Sequence, residues 1–214
     1  MAERRISSLV VFAALLLAAA CGTRSVDDRL MRVATQGDKK KVNELIARGA
    51  KVDAVDEDGW TPLLWAAAHG NEETVLALLD AGANPEAVTR REHQGALTLA
   101  AKWNRVEVVA TLLRRGLRPN RTDTIGWSAL MWASLQGRTD VVKVLLDGGA
   151  EIESVDSDRN TPLILAARRG RLETVKLLLA RGARPQDRNV DGETARSLAL
   201  ADDYPEVAAL LPAP

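Results

Sequence analysis

The sequence predicts an all-α solenoid of stacked helix-turn-helix units joined by β-turn fingers. The first observation behind this is a period. Leu30, Leu63, Leu97, Leu130 and Leu163 follow one another at 33, 34, 33 and 33 residues. The glycines Gly49, Gly82, Gly116, Gly149 and Gly182 keep the same spacing, as do Val42, Val75, Val109, Val142 and Val175. Three ladders in one register mark a repeat array. The second observation lies inside each period, where two short apolar stripes at helical spacing are separated by turn residues. The third is composition: 214 residues, 46% hydrophobic and 27% charged, suit one domain or a short array and argue against disorder.

The elements follow in chain order. Residues 1–20 read as a secretory signal, with Arg4 and Arg5 ahead of the apolar and small residues Ile6 to Ala20. That run is 15 residues long, short of the ~20 that cross a bilayer as a helix. It ends in Leu17-Ala18-Ala19-Ala20-Cys21, which resembles a bacterial lipobox, although Ala18 stands where that family more often has Leu. The resemblance implies that the Cys21 sulfur carries a diacylglycerol and that Cys21 becomes the acylated N-terminus. Gly22, rather than Asp, then implies release to the periplasmic face of the outer membrane. Residues 21–25 are a linker spanning at most ~17 Å. The first unit, 26–56, is polar at its front and reads as an N-terminal cap. Units follow at 57–88, 89–123, 124–156 and 157–188, then a shortened C-terminal unit at 189–211 and a tail at 212–214.

Within a unit, Thr61 and Thr161 suit the N-cap, with Pro62 and Pro162 at the first helical position, where a missing N–H is harmless. Leu63, Ala66 and Ala67 form the buried stripe of a first helix; Val75, Leu78 and Leu79 form that of a second. Glu73, Glu107, Asp140 and Glu173 fall in the first turn of the second helix, where the macrodipole favours an anion. The glycine ladder closes that helix in the left-handed conformation. The copies Asp58-Gly59-Trp60-Thr61-Pro62-Leu63-Leu64-Trp65-Ala66-Ala67 and Thr161-Pro162-Leu163-Ile164-Leu165-Ala166-Ala167 resemble the ankyrin repeat, from about Val26 to Leu211. That resemblance implies fingers and first helices lining a concave face, and a protein partner bound there.

The chain departs from the family in three places. Leu64, Thr98, Met131, Ile164 and Ser197 replace the usual His after Thr-Pro-Leu, which predicts loss of an inter-repeat polar network. The third unit has one extra residue, Gly95-Ala96 for Thr-Pro, and Asn104 in place of the inter-helix Gly, so its finger, Thr89 to Gln94, is expected to be irregular. Arg159 stands at a turn-glycine position, at a cost of about 1 kcal/mol if φ is positive there.

Several function classes are poorly served by this composition. Lys plus Arg and Asp plus Glu number 29 each, which leaves no basic field for nucleic acid. One cysteine precludes an intrachain disulfide, and two histidines, His69 and His93, are too few for a zinc cluster. Neither a phosphate loop nor a nucleophile elbow occurs. No catalytic group, metal or cofactor is expected. Lys39-Lys40-Lys41 reads as exposed capping.

The candidate partner surface comes from the tryptophans. Trp60 and Trp127 share a finger position; Trp65 and Trp132 share a first-helix position; Trp103 ends the third unit's first helix. Arg90, Arg91 and His93 join them from the third finger, and Arg168 and Arg169, beside Arg171, add a basic patch further along. Tryptophan buries much area at low entropic cost and is enriched in interface hot spots. Each ring also admits a packing reading: Trp65 and Trp132 as inter-repeat filler, Trp60 and Trp127 as finger packing. The expectation is a monomeric, non-catalytic, lipid-anchored periplasmic protein that binds a partner protein through this surface. Inhibition of a toxic periplasmic enzyme as an immunity protein, and a structural role in envelope organisation, are the rival readings.

Overall fold

A computed structural model describes residues 25–213. They form α1 (Val26–Gln36), α2 (Lys39–Ala47), α3 (Pro62–His69), α4 (Glu72–Asp80), α5 (Ala96–Lys102), α6 (Val106–Arg114), α7 (Ala129–Gln136), α8 (Thr139–Asp147), α9 (Pro162–Arg168), α10 (Leu172–Ala180), α11 (Ala195–Ala201) and α12 (Pro205–Ala209). Odd-numbered helices pack on one another in one layer and even-numbered helices in a second, each touching its own partner and its neighbours in the array. This is an all-α repeat solenoid. Val88–Gly95 and Thr122–Ser128 are isolated β-bridges in the connections, and there is no strand among the described residues.

The ladders explain the two layers. All five valines are 0% exposed, and the five leucines are at most 6% exposed. They form the floor between layers, where no single unit could bury its own stripe. Alanines dominate the contact between first helices: Ala66, Ala67, Ala100, Ala133, Ala166 and Ala199 are fully buried, so adjacent backbones approach closely. Thr61 and Thr161 start their helices as expected, and Ser128 and Thr194 do the same, each hydroxyl accepting from the N–H three residues on. The glycine ladder ends the second helices at φ between +85° and +91°.

A clasp links successive units. Gly37, Gly70, Gly137 and Gly170 follow first helices with φ of 76°, 83°, 71° and 64°. The residue opening the next unit's second helix lies over each. Asn71 Nδ2 donates to the carbonyls of Ala34 and Thr35, Arg105 Nε to Ala68, and Arg171 Nε to Leu135. The Tyr204 ring covers Gly170. A Cβ on any of these glycines would sit within 2.8 Å of the clasping side chain. Asn104, at φ 58°, interrupts the series. Arg138, next in register, has a buried Nε without a partner and reaches Gln136 at 3.4 Å instead.

The fingers share one closure. Asp56, Asp123, Asp156 and Asn189 each donate a backbone N–H to the carbonyl four residues on, while the side-chain Oδ1 accepts from the N–H groups two and four residues on. Arg159 takes its turn at φ 63°, the strained region its position implied. The third finger is irregular as expected in its turn, where His93 N–H donates to the Thr89 carbonyl four residues back rather than three, but its base is regular. Thr89 N–H closes on Gln94 in the same way, and the extra residue is absorbed in the turn, with His93 at φ 52°. The side-chain cage is reduced as well, since the Thr89 hydroxyl accepts the Gln94 N–H alone.

The expected loss of an inter-repeat polar network is also corrected. Gln94 Nε2 reaches Asp123 Oδ2 at 3.5 Å, Trp127 Nε1 donates to Asp156 Oδ2, and Asn189 Nδ2 reaches Asn160 Oδ1 at 3.4 Å. Within its own finger, Asn160 Nδ2 donates to Asp156 Oδ2 at 3.0 Å. The polar chain has moved from the first helix to the base of the fingers.

Candidate functional site: a tryptophan-bearing face

Two indole pairs sit on the face made by fingers and first helices. Trp60 and Trp65 stack with centroids 4.3 Å apart and planes at 26°. Trp127 and Trp132 lie 4.7 Å apart at 57°. The same positions, 67 residues on, thus rebuild the same pair. A carboxylate holds each pair: Trp65 Nε1 donates to Asp56 Oδ2 at 3.0 Å and Trp132 Nε1 to Asp123 Oδ2 at 2.8 Å. Trp127 Nε1 turns to the next finger and donates to Asp156 Oδ2 at 3.0 Å. These carboxylates are already oriented by backbone N–H groups, so each indole is fixed by a group that is itself fixed. All four rings are half-buried. They therefore pack and present a face at once, and the filler and surface readings are both partly true.

Lys102 adds a charge over this face, its Nζ 4.3 Å from the Trp132 ring centroid, in a cation–π contact. His69 lies beside Trp65, ring to ring at 5.8 Å, with Nδ1 3.0 Å from the Trp65 carbonyl. Trp103 stands apart as the C-cap of α5 and is 53% exposed. Nothing in the packing accounts for that exposure.

The basic candidates divide. Arg90 and Arg91 tie the third finger to the second: Arg90 donates from its backbone N–H to Asp58 and from Nη1 to the Glu57 carbonyl, and Arg91 pairs with Asp58 at 3.6 Å. Both are exposed, as is His93 at the finger turn. Arg168 and Arg169 border a cleft of ≈ 340 Å³ with Trp127, Ile125, Asp156 and Asp158. Arg168 Nε lies 3.9 Å from Asp202, whereas Arg169 has no polar partner among the described residues. Arg171, grouped with them in the sequence, is instead committed to its clasp.

Sequence reasoning missed the indole anchors. Asp56, Asp123 and Asp156 stand 67 and 33 residues apart, in register, and that spacing was the available signal. It also missed Lys102, and Ile125, 50% exposed at a finger tip. No group of three or more metal-ligating side chains occurs among the described residues. Cys21, the candidate acylation site, lies outside the described residues, as does the signal-like segment before it.

No curated protein matches the sequence. The family model described as Ankyrin repeats (3 copies) matches at residues 30–123, 97–156 and 116–189. Ankyrin repeats commonly mediate protein–protein interaction and are generally non-catalytic scaffolds. With the ladders, caps and fingers in the register described above and the family model covering most of the chain, this protein belongs to the ankyrin-repeat family.

Proposed function

We propose that this protein is a lipid-anchored periplasmic binding module that captures a partner protein on its finger and first-helix face, without chemistry of its own. The observation that carries the reading is the pair of half-exposed indole couples clamped by carboxylates, with the exposed Trp103 between them in the sequence of units. Rings held in this way have lost most of their freedom before a partner arrives, so less conformational entropy remains to be lost on binding. The face mixes apolar rings with Lys102, Arg169 and the finger carboxylates, the composition of a polar-rimmed hot spot. Support for the anchor is the lipobox-like Leu17 to Cys21 and the short linker after it. No described helix is long and apolar enough to cross a membrane, so attachment on this reading falls to Cys21.

The test uses Trp103→Ala, because Trp127→Ala would also strip the Asp156 carboxylate of its indole donor. Crosslinking in intact envelopes is expected to yield a discrete partner with the parent chain and to lose it with the variant. Melting should change by no more than about 0.5 kcal/mol, as for exposed substitutions. Unchanged crosslinking would sink the proposal, and a large loss of stability would return the ring to a packing role. Separately, Cys21→Ser is expected to move the protein from the membrane fraction to the soluble periplasm; retention on the membrane would refute the acylated anchor.

A further inference from the structure

The outer side of the first unit carries a groove of ≈ 320 Å³ between α1 and α2. Arg29, Arg32 and Gln36 lie along one side of α1, and Lys41, Glu44 and Arg48 along the facing side of α2, at the three- and four-residue spacing of a single helix face. Val33 and Leu45, both almost fully buried, make the floor. This is the end of the array among the described residues, and a polar surface there is expected of a cap. Its sign is not explained by capping. Four cations line the groove against one carboxylate, Glu44.

Three of those four cations have no polar partner within the fold. Of the nineteen arginines among the described residues, thirteen have a polar partner in the hydrogen bonds and ion pairs of the fold, and Arg29, Arg32 and Arg48 are three of the six that do not. Apart from Glu44, the nearby acids are already engaged. Asp27 accepts from the Lys51 N–H, Asp28 from the Ser25 N–H, and Asp38 pairs with Lys41 at 2.7 Å. The hydrogen bond from Lys41 holds the Asp38 carboxyl below its usual range, and the guanidiniums of Arg29, Arg32 and Arg48 are left without a carboxylate. A guanidinium presents a planar fork that matches phosphate oxygens.

We infer that this groove docks the first unit on the phosphate headgroups of an anionic membrane. The chain enters α1 directly at Val26, five residues after Cys21, so an acylated Cys21 would hold the start of α1, beside Arg29, within ~17 Å of the lipid surface. An acidic protein partner would gain nothing from that placement. Three exposed arginines attract an anionic leaflet within a Debye length of about 8 Å. They act as a second signal beside an acyl anchor and set which side of the solenoid faces away from the membrane. The orientation rests on the anchored reading; the attraction itself does not.

Co-sedimentation of the full chain carrying Cys21→Ser tests the attraction without acylation. Vesicles of phosphatidylglycerol in phosphatidylcholine are compared with vesicles of phosphatidylcholine alone, which measure any partition by the apolar leader. Binding to the anionic vesicles should exceed binding to the neutral ones and collapse at 0.5 M salt, where the Debye length falls to about 4 Å. Arg29→Gln with Arg32→Gln and Arg48→Gln should cut the anionic excess on the order of 100-fold. Lys143→Gln with Arg159→Gln and Arg196→Gln, an equal change of charge elsewhere, should leave it within a few-fold. Equal binding to both vesicles, or equal losses from the two triple variants, would overturn the inference. So would a concentration-dependent dimer abolished by the first triple variant, which would assign the groove to a second copy of the chain. Failure of the Cys21→Ser fractionation test alone would remove the anchor and leave the vesicle result standing.

Discussion

Asn104 places a side chain where the other inter-helix turns with a clasp have glycine, and the consequences extend to the next unit. Its φ of 58° is a left-handed conformation that Asn tolerates better than most residues but less well than Gly. At Gly70 and Gly137 the empty Cβ position is what admits the arginine stem of the following unit. Arg138 has no such opening and leaves its Nε buried and unpaired. Asn104→Gly should therefore stabilise the protein twice over, by relieving backbone strain and by letting Arg138 clasp. The expected gain is about 1–2 kcal/mol, seen as a rise of roughly 2–5 °C in Tm. Adding Arg138→Ala should erase the part due to the clasp. Gly137→Ala runs the other way, since a Cβ there meets Arg171 Cδ at 2.7 Å in a positive-φ position, and should cost at least about 1 kcal/mol. No gain from Asn104→Gly would mean that the clasps contribute nothing net.

Helix starts differ in the same way. α5 begins at Gly95 with φ −87° and ψ 174° and no side-chain cap, while the corresponding helices α3, α7, α9 and α11 have Thr or Ser accepting from the third residue. A Cβ at Gly95 would meet only ordinary contacts, at 3.7 Å from the Ala87 carbonyl and 3.9 Å from Val88. Gly95→Ser should then add about 0.5–1 kcal/mol, through the cap and through a less flexible unfolded chain, and urea unfolding would register it as a higher midpoint at constant slope. At this scale the sequence was most legible. Leu63, Val75 and Gly82 have counterparts at a fixed distance, and periodicity reports burial and turns directly. The finger carboxylates were less so. Asp123 receives Trp132 Nε1 from the helix that follows its own finger, but Asp156 receives Trp127 Nε1 from the finger before it, and Thr89 and Asn189 stand at the equivalent positions. A polar position whose identity changes and whose partner lies about a unit away leaves little trace in one sequence. The clasp was legible in principle, since Asn71, Arg105, Arg138, Arg171 and Tyr204 keep the register, but their side chains share no chemistry.

Across the described residues, the main helix contacts run within a unit or between neighbouring units, and the polar chain at the finger base follows the same rule. Stability should then be close to a sum of unit and neighbour contributions, with energetic coupling confined to adjacent fingers. The carboxylates test this. Trp127 joins Asp123 to Asp156, since its backbone N–H donates to Asp123 Oδ1 at 2.9 Å and its indole to Asp156 Oδ2 at 3.0 Å. Asp56 holds its own pair, Trp60 and Trp65, and shares no hydrogen-bond partner with Asp156. Each of Asp56→Ala, Asp123→Ala and Asp156→Ala removes an acceptor from buried or half-buried donors and should cost about 1–3 kcal/mol. The double variant of Asp123 and Asp156 should depart from additivity by at least about 0.5 kcal/mol, because the first loss already frees Trp127 from one of its two fixed points. The double variant of Asp56 and Asp156 should be additive within about 0.5 kcal/mol. Coupling of equal size in both cycles would mean that the array folds as one undivided body. In that event the two tryptophan pairs could not adjust to a partner independently, as units linked only to their neighbours allow.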